Sequence, residues 1–258
     1  MSSKENQNVY ESGRIPDIEK ERLQKFSYPV LVSEELLGET LGGKTILDIG
    51  AGANTELGKW IGEHNGKYIA LDVHEPFLKE QQGAGSSAIQ GSADKLPFSP
   101  NSVDITHTRF VLLHLSPEAR DKAIKEAINA AKERSLFLEF DYSSFEGGPL
   151  VNQFRDLAIK MMAGRQDPYM GKKLKEEVER VVSGTVQVIN ERRFRREKGH
   201  YYNDLIPLAR VFERVSEKIN PEMALEFKKL IVDLEKEAEK DNPEGFIPPD
   251  IVSVEVIK

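Results

Sequence analysis

The hydrophobic pattern of residues 41–142 alternates between short apolar runs and longer amphipathic stretches. Four runs are mostly apolar and bounded by turn residues, which favours buried strands: KTILDIG, KYIALDV, SVDITHT and SLFLEFD. A fifth run, SAIQG, predicts a weaker strand. The stretches TELGKWIGEH, PFLKEQQ and 117–132 predict helices, and in the last of them Ile124, Ala127, Ile128 and Ala131 share one face. This alternation predicts an α/β fold in which helices cover both faces of a parallel sheet.

The two ends of the chain have a different, mainly helical, pattern of apolar and polar residues. Residues 16–38 predict helical structure interrupted at Pro29. After Asp141 the pattern predicts helices over 149–163, 172–183 and 202–240, the last broken at Asn220–Pro221. TVQVINERRF and the closing GFIPPDIVSVEVIK predict two more strands. We therefore divide the chain into an N-terminal helical cap segment (1–40), a core (41–144), a cap insertion with the sixth strand (145–220), and a last helix and strand that return to the core (221–258).

Composition narrows the class of protein. The 258 residues carry a formal net charge of -7, which argues against a nucleic-acid partner. The absence of cysteine excludes disulfides, thiolate metal sites and cysteine nucleophiles, and fits a reducing compartment. The N-terminus is polar and no apolar run is long enough to span a membrane. We predict a cytoplasmic protein with no metal site, and the sequence carries no signal for its oligomeric state.

The stretch ILDIGAGANT places two glycines, Gly50 and Gly52, directly after the first predicted strand. A turn without side chains lets a ligand approach the backbone, and the helix that follows offers free N–H groups and a positive dipole end. The G-x-G-x-x-G pattern of dinucleotide sites is incomplete, because Asn54 stands near the place of a third glycine. The alternative is a tight strand-to-helix turn that binds nothing.

Three acidic residues lie at the carboxyl ends of the first three strands. Asp48 sits inside an apolar strand, where a carboxylate is costly unless it meets donors or a cation. Asp72 ends the second strand, where an acid can accept both ribose hydroxyls of a nucleoside. Asp94 follows the third strand and is placed to bind an amino group. Each acid has a simpler alternative role: Asp48 as the cap of its own loop, Asp72 as the cap of the next helix, and Asp94 as a turn residue. The presence of all three at successive strand ends favours a nucleoside site.

The segments LDIGAGANT, ALDVHEPFL, GSADKLPF and SVDITHTRFVLLHL resemble the first four motifs of class I S-adenosylmethionine-dependent methyltransferases. The resemblance is strongest to the small-molecule branch that includes the ubiquinone/menaquinone-biosynthesis (UbiE-like) enzymes. It covers residues 10–142 well and the later segments AGRQDPYMGKKLKEEVERVVSG and FIPPDIVSVEV more loosely. It implies a Rossmann-like, seven-stranded, mostly parallel sheet with an antiparallel last strand, helices on both faces and a helical cap.

Two positions depart from the family pattern. Asn54 replaces the third glycine, and Asn tolerates left-handed backbone, so the turn can persist. AAKERS replaces the usual glycine-rich turn before the fifth strand, which predicts a tighter or differently built connection.

The resemblance implies S-adenosyl-L-methionine as the cofactor and assigns its contacts by position. Asp48, Gly50, Ala51 and Gly52 would hold the methionine moiety, and Asp72 the ribose. Val73 and Ala93 would lie beside the adenine, and Asp94 would bind its amino group. Thr108 and Arg109 would lie near the sulfonium, and Tyr10 would close over the cofactor.

Methyl transfer from a sulfonium requires alignment and exclusion of water, and a general base only if the acceptor arrives protonated. The candidate bases are His107, His114 and His200. His114 has an apolar context that also fits a core histidine, and His200 lies in EKGHYYND, which fits either an acceptor pocket or a helix start. Arg109 could pair with an acidic acceptor, with the cofactor carboxylate, or with solvent alone.

No Asn/Asp-Pro-Pro-Tyr stretch follows the fourth strand, as it would if the chain resembled the amino-group methylases of nucleic acids. The acceptor is therefore predicted to be a small molecule. The basic stretch ERRFRREKGH could touch RNA, although a solvated strand face suits it better. We expect the acceptor wall to include Tyr10, Tyr28, Tyr169, His200 and Tyr201. Two other classes compete with a methyltransferase: a non-catalytic S-adenosylmethionine-binding protein, and a nicotinamide-dependent enzyme, which the missing third glycine disfavours.

Overall fold

The computed structural model describes residues 21–24, 27–38, 41–182 and 188–258. Tyr10, the predicted start of the first helix and Val186 lie outside these ranges. The described strands are β1 (Thr45–Ile49), β2 (Lys67–Asp72), β3 (Ser87–Gln90), β4 (Val103–Arg109), β5 (Ala131–Asp141), β6 (Val188–Phe194) and β7 (Asp250–Ile257). They form one sheet in the order β3-β2-β1-β4-β5-β7-β6, in which β7 runs antiparallel to both of its neighbours. The predicted Rossmann-like fold with an antiparallel last strand is confirmed.

The helices in the described ranges begin with the short helical stretch 21–24. The longer ones are α1 (Tyr28–Leu37), α2 (Glu56–Glu63), α3 (Glu75–Gly83), α4 (Pro117–Ala130), α5 (Pro149–Met162), α6 (Met170–Val181), α7 (Tyr202–Ile219) and α8 (Pro221–Ala238). The predicted break at Asn220–Pro221 is confirmed, because the Asn220 side chain accepts from the Met223 N–H and caps α8.

The central strands are buried on both faces, as their apolar pattern predicts. Ile46, Leu47, Ile105 and Leu138 are fully inaccessible to solvent. The strand pairs β1–β2, β1–β4 and β2–β3 are all parallel, so the carboxyl ends of these four strands lie at one edge of the sheet. The glycine turn and the ends of β2 and β4 therefore come together there.

Helices α5, α7 and α8 are joined by a cluster of aromatic side chains. Phe154 of α5 stacks on Phe212 of α7 with ring centroids 6.0 Å apart, and both contact Phe227 of α8 edge-on. Phe154 and Phe227 are fully buried, and burying a side chain of this size stabilises the fold by about 1.5–3 kcal/mol. This cluster fixes the helices that stand over the carboxyl edge of β5.

One predicted boundary differs from the structure. α4 ends at Ala130 and β5 begins at the next residue, so AAKERS forms no loop and most of it belongs to the strand. The extra length is accommodated by a register shift where β5 pairs with β4, between Val103 and Ile105. The predicted division of the helical region near Pro29 is present, because the helical stretch 21–24 and α1 are separate and Ser27 between them is not helical. Pro29 lies in the first turn of α1, where its missing N–H costs nothing.

Candidate functional site

A cavity of about 290 Å³ opens at the carboxyl edge of the sheet. One part of its wall comes from the turn after β1 and the ends of β2 and β4. The other part comes from α5, from α7 and from the segment just before β7. Residues far apart in sequence thus enclose one continuous space.

The turn after β1 needs its two glycines for different reasons. Both have left-handed backbone, with φ of 72° at Gly50 and 65° at Gly52. A Cβ on Gly50 would collide with the Val111 side chain, whereas a Cβ on Gly52 would meet no atom within 4 Å. Gly52 also lines the cavity. Gly50 is therefore required by packing, and Gly52 leaves open the space that a ligand would use.

Asp72 connects this turn to the end of β2. Its Oδ2 accepts from the Gly52 N–H at 2.9 Å, and its Oδ1 accepts from the His74 N–H at 2.8 Å. Burial raises the pKa of Asp72, and the two backbone hydrogen bonds only partly offset this. The carboxylate lines the cavity and keeps lone pairs for further donors, which suits a pair of hydroxyl groups.

Asn54 has a role that the sequence did not reveal. It is absent from the described residues with left-handed backbone, so it does not replace a third glycine in that sense. Its Nδ2 donates to the Leu23 carbonyl at 3.1 Å, and its Oδ1 accepts from the Glu56 N–H at 2.9 Å. Asn54 thus attaches the helical stretch 21–24 to the start of α2, and this brings Leu23 to the cavity wall.

Asp48 lies behind the turn in a buried polar network. The register places it opposite His107 of β4, and its Oδ1 is 2.7 Å from His107 Nδ1. Its Oδ2 accepts from the Tyr68 hydroxyl at 2.7 Å. The Ser33 hydroxyl donates to the Pro29 carbonyl, so His107 Nε2 donates to Ser33 Oγ at 3.0 Å. The expectation that Asp48 needs donors or a cation is met by these partners.

The same network explains why Asp48 and His107 do not face a ligand. Burial acts to raise the pKa of Asp48, but the charge and hydrogen bond of His107 and the charge of Arg109 outweigh it, so the pKa lies below its ordinary value. Neither Asp48 nor His107 lines the cavity. The structure places the Asp48 side chain against His107 and Tyr68 and off the cavity wall, not at the position expected for a direct contact with the methionine moiety.

The remaining predicted cofactor residues divide into two groups. Ala51, Val73 and Ala93 line the cavity with the glycine turn. Asp94 does not: it accepts from the Ser92 hydroxyl and stabilises its own turn. The Thr108 hydroxyl is buried, has no hydrogen-bond partner within the described ranges, and lies off the cavity wall. Asp94 and Thr108 would contact a ligand here only after a local rearrangement.

Of the predicted catalytic residues, Arg109 and His114 line the cavity and His200 does not. Arg109 Nη1 is buried and has no hydrogen-bond partner in the described part of the chain. The Gln166 amide donates to His114 Nδ1 at 2.9 Å, which leaves the proton of the neutral ring on Nε2. His200 is exposed and lies just before α7.

The predicted aromatic wall is present in part. Tyr28 and Tyr201 line the cavity on either side of the Arg196 guanidinium, whose centre is 4.7 Å and 3.6 Å from their ring centroids. Arg196 also pairs with Asp204 at 2.8 Å. Tyr169 is exposed and lies outside the wall, and Tyr10 falls outside the described residues.

The half of the cavity beyond the cofactor turn is mainly apolar. Side chains of β5, the loop after it, α5 and α7 supply this surface, among them Phe140, Phe145, Met161, Leu208, Val211 and Phe212. Phe110 stacks on Phe140 at 3.8 Å, which carries the apolar surface back to the end of β4. Arg165 and Gln166, which the sequence did not single out, stand at its edge.

The described residues contain no group of three or more His, Cys, Asp or Glu side chains placed to hold a metal ion. Within the described ranges, no helix is both long and apolar enough to cross a membrane.

Residues 47–138 match the family model described as a methyltransferase domain. The centre of the chain is therefore similar to a methyltransferase domain. The matched segment runs from β1 into β5 and so contains the glycine turn, Asp72 and Arg109. None of the curated proteins compared with the chain matches it in sequence.

Solved structures with the same fold share little sequence with this chain. A protein of Anabaena variabilis, provisionally described as a methyltransferase from an antibiotic biosynthesis pathway, has a TM-score of 0.62 at 15% identity and covers 90% of this chain and 98% of its own. The YcgJ protein of Bacillus subtilis has a TM-score of 0.59 at 16% identity, with the same coverage.

A third similar structure contains bound small molecules. It is phosphoethanolamine N-methyltransferase 2 of Haemonchus contortus, in complex with phosphomonomethylethanolamine and S-adenosylhomocysteine. Its TM-score is 0.53 at 14% identity, and the match covers 89% of this chain and 52% of that one. These likenesses establish the fold.

Proposed function

We propose that this chain transfers a methyl group from S-adenosyl-L-methionine to a small-molecule acceptor. The observation that carries the proposal is the single cavity shared by the Gly50–Gly52 turn, the Asp72 carboxylate and an apolar chamber. Direct displacement requires that the methyl donor and the acceptor lie in one enclosure, in line and shielded from water. The match of residues 47–138 to a methyltransferase domain supports the same reaction.

The residues of the cavity fit the chemical groups of this cofactor. Gly52 leaves space beside the backbone, and Asp72 offers acceptors suited to ribose hydroxyls. Arg109 Nη1 is a buried donor without a partner in the described ranges, which suits a carboxylate. Val73 and Ala93 offer apolar contacts for an adenine ring. The S-adenosylhomocysteine in the Haemonchus contortus structure lends further support.

The bound cofactor would supply an electrophilic methyl group with a good leaving group, so the protein has mainly to position the acceptor. The apolar wall from Phe110 to Phe212 would exclude water and hold the acceptor body. Gln166 donates to His114 Nδ1, so this nitrogen would not act as a base. As part of the cavity wall, His114 would help to position the acceptor. We place the chain in the small-molecule, UbiE-like branch on the four motifs within residues 47–115 and on this chamber.

Calorimetric titration tests the cofactor directly. We expect S-adenosylmethionine and S-adenosylhomocysteine to bind and NAD not to bind. Incubation with methyl-deuterated S-adenosylmethionine and a metabolite extract, followed by mass spectrometry, should then reveal a labelled product. Cofactor binding without any labelled product would favour a non-catalytic binding protein, and binding of NAD alone would refute the proposal.

Asp72→Asn should weaken S-adenosylhomocysteine binding by about tenfold or more, because the amide replaces a charged acceptor at the ribose position. Asp104→Asn is the matched control, since Asp104 also accepts a backbone N–H, from Thr45 at 2.7 Å, but lies off the cavity. Calorimetry on both variants checks the prediction. Equal affinities for the two would show that Asp72 serves only the turn.

A further inference from the structure

Arg165 is a half-buried guanidinium on the cavity wall for which the described residues supply no carboxylate partner. Three other arginines have carboxylate partners: Arg120 with Glu177, Arg155 with Asp156 and Arg196 with Asp204. Asp167, two residues further along the chain, forms ion pairs with Lys173 at 3.0 Å and with Arg120 at 3.6 Å. A cation that faces an enclosed space without a counter-charge is costly unless a ligand supplies one.

The loop that carries Arg165 is held in place. The Asp167 N–H donates to the Leu113 carbonyl at 2.8 Å, and the Tyr142 N–H donates to the Pro168 carbonyl at 3.0 Å. The Gln166–His114 hydrogen bond joins the same loop to the turn after β4. Arg165 therefore lies on a fixed backbone near the end of β4, where we expect the transferable methyl group. A fixed donor loses less conformational entropy when it binds.

The surface next to Arg165 is apolar. Met161 and Met162, from the last turn of α5 just before this loop, line the cavity together with Phe145 and Leu208. The wall offers no acidic side chain of the described ranges that is free to attract a cationic acceptor, since Asp204 pairs with Arg196 and Asp72 lies in the cofactor half. The chamber thus combines the Arg165 guanidinium and the Arg196–Asp204 ion pair with a mainly apolar lining.

We propose that the methyl acceptor has an apolar body and one anionic group, a carboxylate or a phosphate, and that Arg165 binds this group. The inference rests on the proposed function and adds the chemical class of the substrate. The guanidinium makes two parallel hydrogen bonds to such an anion, and the apolar wall takes the rest of the molecule. Arg109 remains available for the cofactor carboxylate. Arg165 would be the residue that selects anionic acceptors over neutral and cationic ones.

Four probes that share a naphthalene body test this charge preference: 2-naphthoate, 2-naphthyl phosphate, 2-naphthylmethanol and 2-naphthylmethylammonium. Binding of each is measured by ligand-observed NMR titration of the full chain with saturating S-adenosylhomocysteine. We expect one of the two anions to bind at least about tenfold more tightly than the alcohol and the ammonium compound. The difference between carboxylate and phosphate identifies which anion the site prefers.

Arg165→Gln should remove this preference and bring the best anion to within about twofold of the alcohol, whereas Arg165→Lys should keep part of it. Arg214→Gln is the matched control, because Arg214 is exposed, lies off the cavity and has no ion pair within the described ranges. Equal binding of all four probes, no binding by any of them, a preference for the ammonium compound, or an unchanged preference in Arg165→Gln would overturn the proposal. Retained S-adenosylhomocysteine binding in those cases would leave the proposed methyl transfer standing.

Discussion

Gly52→Ala should weaken S-adenosylhomocysteine binding by about a hundredfold or more, equivalent to about 2.8 kcal/mol. The new Cβ would enter empty space in the protein itself, so the fold has no clash to relieve. Gly52 lines the cavity, so a ligand in the proposed cofactor site would reach the backbone of the turn through this space. The variant would also carry about 1–2 kcal/mol of backbone strain, since φ at this position is 65°.

Gly43→Ala separates the strain from the lost ligand space. Gly43 has φ of 82°, an equally open Cβ position and no part in the cavity wall. Both variants should lose similar stability in urea unfolding, but only Gly52→Ala should lose calorimetric binding. If the two bind S-adenosylhomocysteine equally well, the glycine turn is a structural feature and not a cofactor site.

Gly50 differs from Gly52 in what a substitution would do. From the sequence, a turn free of side chains suggests that replacing either glycine would abolish ligand binding and leave the fold intact. In the structure a Cβ on Gly50 collides with Val111, so Gly50 variants would perturb the turn after β4 as well. Only Gly52 gives a clean test.

The order and type of the elements could be predicted because they depend on local patterns. Apolar runs that end at glycine or aspartate define β1 and β2, and Asn220 with Pro221 defines the helix break. The start of β5 was missed because AAKERS has no apolar pattern. It becomes strand because its backbone continues the ladder against β4 and β7 beyond the buried residues.

The site was predictable only where position along the chain fixes function. The Gly52 turn and Asp72 follow from their places after strands that must be parallel neighbours. Asp48 was assigned to the ligand, but its partner His107 is 59 residues away and only the sheet register brings them together. Arg165 carried no signal, because the absence of a carboxylate partner is a property of the folded structure.

A buried carboxyl group behind the site gives the second large effect. Glu139 of β5 is fully buried, and its Oε1 accepts from the Leu112 N–H at 2.6 Å at the start of the turn that carries His114. Its Oε2 has no hydrogen-bond partner within the described residues. Burial raises the pKa of Glu139 to about 8, although the Leu112 N–H and the charge of Arg120 act in the opposite direction.

The sign of the pH effect follows from this raised pKa. Between the ordinary value of 4.5 and about 8, the folded protein holds a proton that the unfolded chain releases. The contribution of Glu139 to stability is therefore fully present below pH 4.5 and is lost as the pH rises through about 8. A shift of this size corresponds to at most about 5 kcal/mol.

Glu139→Gln should remove this pH dependence, because the amide keeps an acceptor for Leu112 and cannot ionise. In urea unfolding from pH 5 to pH 9, we expect the variant to match the wild type within about 1 kcal/mol at pH 5 and to be several kcal/mol more stable at pH 9. Glu133→Gln, at the exposed start of the same strand, controls for the loss of a carboxylate from β5. Parallel stability profiles for the wild type and Glu139→Gln would show that Glu139 is ionised throughout and that its buried position costs the fold nothing.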